Sequence, residues 1–272
     1  MIRNKFLYYT IIVILVAILI FSGTQVVRYV IDTAQQKNAY DELAALVEQS
    51  RVEPNPTVST PAGEDADQPT SPAEPTEPVL LPEYAALYEE NPDTIGWLRI
   101  EGTTINYPVM QSPDRPDYYL KRNFQKMQNS HGCLYVRESC DVFLPSDNVT
   151  IYGHHMKNGT MFAPLDYFVK KEFWEKYPTI NFDTLYERHT YTVFAVFTTT
   201  ATVGQGFAYH AFEDAADATE FDDFVAKCKE LAFYDTGITP QYGDKLICLS
   251  TCEYTQVNGR LVVVAVRDPV TP

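Results

Sequence analysis

The chain has 272 residues, 45% of them hydrophobic, and its 36 acidic side chains outnumber 21 basic ones to give a formal charge of −15. Such an excess of carboxylates argues against nucleic acid as a partner and gives no sign of a basic lipid-binding patch, while the length allows one or two domains. Five cysteines, none in a C-x-x-C pair, and histidines without zinc spacing exclude a zinc knuckle.

The first element is apolar. FLYYTIIVILVAILIF, residues 6–21, carries no charge and no proline, and the uncharged run continues to Val27. About 20 residues suffice for a helix to cross the hydrocarbon core. Arg3 and Lys5 in the short N-terminus, residues 1–5, keep that end cytoplasmic and send the rest outside. No A-x-A-like site follows, so residues 6–27 read as an uncleaved, single-pass anchor rather than a signal peptide. Residues 28–50 follow as a juxtamembrane helix, with Tyr40, Leu43 and Val47 on one face.

Composition then changes. Between Arg51 and Pro82 lie eight prolines and six acidic residues against a single basic one. A segment this poor in apolar surface cannot offset its ordering entropy, so residues 51–80 are expected to be a disordered, acidic linker. Residues 81–272 form the folded unit, and a chain beginning near Val79 is expected to fold and keep its activity.

Within that unit the patterning is mostly strand. WLRIEG, TINYPVMQ, GCLYV, NVTIYGH, TYTVFAVFT, DKLICLSTC and GRLVVVAVR are short, rich in β-branched and aromatic residues, and separated by turn-forming clusters. Helices are expected over Pro82–Asn91, Met161–Tyr177 and Thr219–Ala232, the last with Phe221, Phe224, Val225, Cys228 and Leu231 on its apolar face. Strands in this number with so few helices fit a closed or nearly closed β-barrel.

The thiols differ in setting. Cys228 lies on a buried helical stripe, where a thiol acts as a small hydrophobe. Cys140 stands between Glu138 and Asp141, which oppose ionisation, and is inert or paired with Cys133. Cys248 and Cys252 share one strand four residues apart, about 13 Å and too far for a disulfide. Cys248 is mid-strand, whereas the apolar pattern stops at Cys252, a strand end that a barrel rim can expose. SHGC around Cys133 resembles the nucleophile segment of the L,D-transpeptidases, but Tyr135 stands where that family has arginine, and His131 is the first histidine in the chain. Without an upstream base Cys133 lacks an activator, and residues 132–136 read as an ordinary strand.

Cys252 has partners. Arg260 follows it by eight residues, after Asn258-Gly259, so a hairpin sets thiol and guanidinium side by side. NVTIYGHHM supplies a histidine at a strand end, where Gly153 lets the backbone turn and His154 face a cleft. LSTCEY with Arg260, and IYGHHM about a hundred residues earlier, closely resemble the sortases, cysteine transpeptidases of Gram-positive surfaces. NPDTIGWLRIEGTTINYPVMQS, YYLKRNF and KKEFWEKYPTI are most similar to class B, and the resemblance runs from Leu81 to Arg267.

The resemblance implies a mainly β, closed eight-stranded barrel with an N-terminal helix and a helix before the catalytic strand. It makes Cys252 the nucleophile, His154 the general acid and base, and Arg260 the donor to the oxyanion or substrate carbonyl. Ser250, Thr251, Glu253 and Tyr152 are expected to line the peptide groove, with His155 a spectator. The implied reaction cleaves an NPxT-like sorting signal through a thioester. The acyl group then passes to an amine of a lipid-linked peptidoglycan precursor, or to a pilin lysine, with neither metal nor organic cofactor. A non-enzymatic anchored module with five structural cysteines is the rival reading.

Overall fold

The computed structural model describes residues 2–52 and 78–269. Eight strands make a closed barrel: β1 (Thr94–Arg99), β2 (Asn106–Met110), β3 (Leu134–Val136), β4 (Asn148–Tyr152), β5 (Thr179–Thr184), β6 (Thr190–Thr200), β7 (Leu246–Glu253) and β8 (Gly259–Arg267). Around the barrel the order is β1-β2-β3-β4-β7-β8-β6-β5. Only β2–β3 and β4–β7 pair in parallel. Closure leaves no strand with a free hydrogen-bonding edge.

The helix α4 (Ala218–Leu231) covers the outside of β6, β7 and β8, which is why these strands are apolar on both faces rather than alternating. Its start is fixed by Asp217, whose side chain accepts from the Glu220 N–H at 3.0 Å, while Glu220 accepts from the Ala216 N–H at 2.8 Å. Phe221, Phe224, Val225 and Cys228 are buried, as the apolar stripe predicts, and Leu231 is partly buried.

Two expectations need correction. The strand β5 was not legible: TINFDT mixes inward Ile180 and Phe182 with polar neighbours, and it follows directly on a helical pattern. The helix expected over Met161–Tyr177 is instead a 3₁₀ segment, Ala163–Val169, followed by α3 (Lys171–Lys176), with the chain extended at Lys170. Burial of Ala163, Pro164, Leu165 and Phe168 holds the first segment tightly wound against the barrel.

The segments expected to be anchor and juxtamembrane helix form one continuous helix, α1 (Ile2–Val52), long and apolar enough to cross a membrane by length and composition. The chain divides into two compact units, Met1–Glu42 and Leu43–Pro272. The last turns of α1 therefore belong with the barrel, earlier than the expected start at 81. Most of the linker, 53–77, lies outside the described residues.

Leu43 and Val47 are buried, and Arg51 closes a polar cluster between α1, α2 (Pro82–Glu90) and β5. Its Nη2 donates at 2.6 Å to both Asp183 Oδ2 and the Tyr84 hydroxyl, which itself donates to Asp183 at 2.6 Å. Glu83, 2% exposed, lies 3.5 Å from Arg51 Nε and accepts from Arg188 Nε at 2.9 Å. These carboxylates tolerate burial because the guanidinium groups neutralise them.

Removing Arg51 leaves Asp183 buried without its cation. Arg51→Met should lower stability by about 1.5–3 kcal/mol, read as a fall in the urea midpoint. Lys37→Ala, which breaks an exposed i,i+4 pair, should change it by less than about 0.5 kcal/mol. A chain shortened to begin at Val79 loses Arg51 too, so it is expected to fold with the same deficit. Equal midpoints for Arg51→Met and the parent chain would remove the helix end from the folded unit.

Candidate active site

Cys252 sits near the end of β7, and the strand's outward face explains its exposure. Leu246 and Cys248 on that face are buried with α4, and Ser250 is covered by Tyr209, whose hydroxyl lies 2.5 Å from Ser250 Oγ. Two residues further on that cover ends. Cys252 is the only one of the five cysteines that is not buried. No disulfide links any of them, so the possible Cys133–Cys140 bridge is absent. Cys133, the centre of the L,D-transpeptidase reading, is 1% exposed and out of reach of a peptide.

The hairpin between β7 and β8 pairs Cys252 directly with Arg260. Asn258 takes the left-handed conformation at φ 54°, and a Cβ on Gly259 would lie 2.5 Å from the Glu253 carbonyl oxygen, so the Asn-Gly pair is needed for the turn. Arg260 Nη1 donates to the carbonyls of Gly259 at 2.9 Å and Asn258 at 3.3 Å. Those bonds fix the guanidinium and leave its other donors unengaged among the described residues.

His154 arrives on the neighbouring strand. The parallel register runs from Asn148↔Leu246 to Tyr152↔Ser250, so Cys252 and His154 each lie two residues beyond the last pair. Two bonds carry the pairing past that point: Gly153 N–H donates to the Ser250 carbonyl at 3.1 Å, and the Thr251 hydroxyl donates to the Gly153 carbonyl at 2.8 Å. Gly153 is required for closeness rather than for a turn, because its φ is not positive and a Cβ would meet Leu134 at 2.5 Å and Phe162 at 2.6 Å. The imidazole Nε2 of His154 lies 2.6 Å from the Leu120 carbonyl oxygen. A carbonyl can only accept, so Nε2 carries its proton and Nδ1 is left to exchange one.

Cys252, His154 and Arg260 line one cavity of about 500 Å³, together with Tyr152, Ser250 and Thr251. Ser250 and Thr251 are 1% and 2% exposed, and both hydroxyls are already bonded. Glu253 does not line this cavity; its carboxylate accepts from the N–H and hydroxyl of Thr255. His155 is also outside it, with Nε2 2.7 Å from Asp166 Oδ2 and its ring edge-on to Tyr254.

Sequence reasoning missed several wall residues. Leu120 comes from the 3₁₀ turn Tyr118–Lys121, Asp117 accepts from the Tyr135 hydroxyl at 2.7 Å, and Arg137 donates to the His210 carbonyl. None carries a local signal, because each is delivered by a loop far along the chain. The surroundings are electrostatically uneven. Burial, Arg137 and Arg260 push His210 below the usual imidazole range, and burial pushes Cys140 up to about 11. Cys228 and Cys248 are raised by burial as well.

Comparison with known proteins gives the same family from several directions. A Sortase domain family model matches residues 98–268. Sortase B of Staphylococcus aureus (strain NCTC 8325 / PS 47) is 32% identical over 188 residues, covering 68% of this chain and 75% of that protein. Sortase B from B. anthracis superposes with a TM-score of 0.68 at 29% identity, over 87% of this chain and 98% of that one. A Staphylococcus aureus sortase B–substrate complex, at 23% identity, shares the fold with a TM-score of 0.72 over 89% of this chain and all of its own.

Exposure predicts reactivity. A thiol reagent of the disulfide-exchange type should label Cys252 alone in the folded protein and the other four cysteines only in denaturant, as mapped by peptide mass spectrometry. Prior labelling at Cys133 or Cys140 would contradict the burial described above.

Proposed function

Since this chain belongs to the sortase family, as a cysteine transpeptidase of class B, we propose that it cleaves an NPxT-like sorting signal and joins the protein to a cell-wall amine. The observation that carries the assignment of roles is the convergence of Cys252, Arg260 and His154 on one cavity from three adjacent strands. Cys252, as thiolate, attacks the carbonyl carbon that follows the threonine side chain. Negative charge develops on the carbonyl oxygen, where Arg260 donates from a fork already fixed by its own hairpin. His154, held through Nε2 by Leu120, gives the Nδ1 proton to the departing amine as the C–N bond breaks. The thioester is then attacked by the acceptor amine, whose proton returns to His154 as the thiolate leaves.

Tyr152, Ser250 and Thr251 shape the groove for the sorting peptide, Thr251 chiefly by bracing the backbone beneath His154. Glu253 is assigned to the loop rather than to the peptide contact, because it is engaged with Thr255. The acceptor is the amine of a lipid-linked peptidoglycan precursor, with a pilin lysine as the alternative. We place the enzyme in the cell membrane as a single-pass protein, N-terminus cytoplasmic and barrel outside. Residence on the surface shared with its substrates raises their effective concentration. The substrate complex of Staphylococcus aureus sortase B, which shares this fold, supports a peptide-binding role for this groove.

Incubating the enzyme with a panel of sorting peptides and weighing the trapped acyl-enzyme tests the reading, and adding peptidoglycan-stem or lysyl amines separates the acceptors. Cys252→Ala should form no adduct and His154→Ala almost none, while His155→Ala forms it at close to the parent rate. Arg260→Ala and Arg260→Lys should both lose about 10²–10³ in turnover, since a lysine cannot restore the planar fork. Full thioester formation in Arg260→Ala would dismiss the three-residue mechanism.

The chemistry needs Cys252 deprotonated and His154 protonated together, so the rate against pH should be bell-shaped. A rate flat from about pH 5 to 10 would rule out this pair.

A further inference from the structure

A second cavity, of about 410 Å³, lies outside the barrel and is lined by Arg51, Arg99, Asn181, Asp183, Arg188, His189 and Thr190. It is remote from Cys252. In the strand order β1 and β5 sit together, and each is three steps round from β4 or β7, so the cavity occupies the opposite wall. In a chain of charge −15, three of its arginines converge here.

Two of the three have structural work. Arg51 and Arg188 neutralise Asp183 and Glu83, and Asp183, although it lines the cavity, is already held by Arg51 and the Tyr84 hydroxyl. Arg99 takes no part in that cluster. It pairs in register with Asn181, whose neighbour in the ladder is Thr190, so a guanidinium, an amide and a hydroxyl stand in a row on the outer face. The Arg99 guanidinium has no ion pair or hydrogen bond among the described residues, and its Nε is buried without a partner. A buried donor left unpaired costs free energy unless something accepts from it.

We propose that this cavity binds a phosphate group, presented by a phosphate mono- or diester. Arg99 supplies the uncommitted fork, the outer N–H groups of Arg188 and Arg51 add positive charge, and the Asn181 amide N–H adds a neutral donor, its Oδ1 being held by the Thr190 hydroxyl at 3.3 Å. Donors arriving from β1, β5 and the β5–β6 turn approach from several directions, which suits a tetrahedral oxyanion better than a planar carboxylate. His189, whose Nε2 lies 3.3 Å from Glu187, reports on occupancy. Burial and the Arg267 charge hold its imidazole below the usual range, against Glu187 and Asp183, and a bound anion must draw it upward.

The test uses the full chain in nonionic detergent, titrated with inorganic phosphate and with glycerol 3-phosphate by calorimetry, while the ring signals of ¹⁵N-labelled histidine are followed against pH. Saturable binding is expected, with an upward move of the His189 titration. Arg99→Gln should weaken binding about 10- to 100-fold and abolish that move, with the rate on a sorting peptide unchanged. Thr190→Val, which leaves the Arg51 cluster intact, should weaken binding less and serves if Arg99→Gln lowers the urea midpoint. The source is separated by two further arms. Displacement of phosphate by soluble poly(glycerol phosphate) points to a wall polymer. Binding that instead requires phosphatidylglycerol rather than phosphatidylcholine in nanodiscs points to a lipid headgroup. The proposal fails if phosphate does not saturate, if acetate binds as tightly, or if Arg99→Gln binds like the parent chain.

Discussion

The parallel pairing of β4 with β7 is the constraint on which the site depends. These strands are separated by nearly a hundred residues, including two strands and α4, yet their register sets where the thiol and the imidazole meet. A slip by one residue would turn every side chain of one strand to the opposite face. The bond from Thr251 to the Gly153 carbonyl, and that from Gly153 N–H to Ser250, extend this register to the loop that carries His154. The β7–β8 hairpin then adds Arg260 by purely local means. One long-range pairing and one short turn thus place three groups.

Selection among the cysteines follows from how far α4 and the loop before it reach along β7. The same face that buries Cys248 leaves Cys252 half-buried, so position along one strand separates an inert sulfur from an accessible one. Burial raises the thiols it covers, which keeps them neutral and unreactive. Arg260 also acts beyond Cys252. Burial, Arg137 and Arg260 together lower the His210 imidazole at the cavity wall, which disfavours its charged form there.

The barrel and the three residues that meet at the cavity were legible because their signals are local: alternating or doubly apolar strands, an Asn-Gly turn, and an apolar run that stops at a cysteine. What it concealed arrives from elsewhere in the chain. Leu120 contributes a backbone carbonyl, which no side-chain pattern can announce, and Thr251 proved to be a brace whose hydroxyl is consumed within the fold. Gly153 was legible as a required glycine but for the wrong reason, since its constraint is the nearness of Leu134 and Phe162. β5 was hidden by polar residues on its outer face, two of which face the arginine-lined cavity. Arg51 looked like the start of a linker because its partners lie 33 and 132 residues away.

The absence of any disulfide has a consequence for folding and for oxidation. Folding of the barrel draws on no oxidant and no shuffling enzyme, and its integrity is independent of the redox poise around it. Among the cysteines, oxidation therefore falls on the one accessible thiol, Cys252. With the other cysteines buried, a sulfenic acid formed at Cys252 has no resolving thiol within reach on the folded domain. It stays where a small external reductant can return it to the thiol, or passes on to the irreversible sulfinic state.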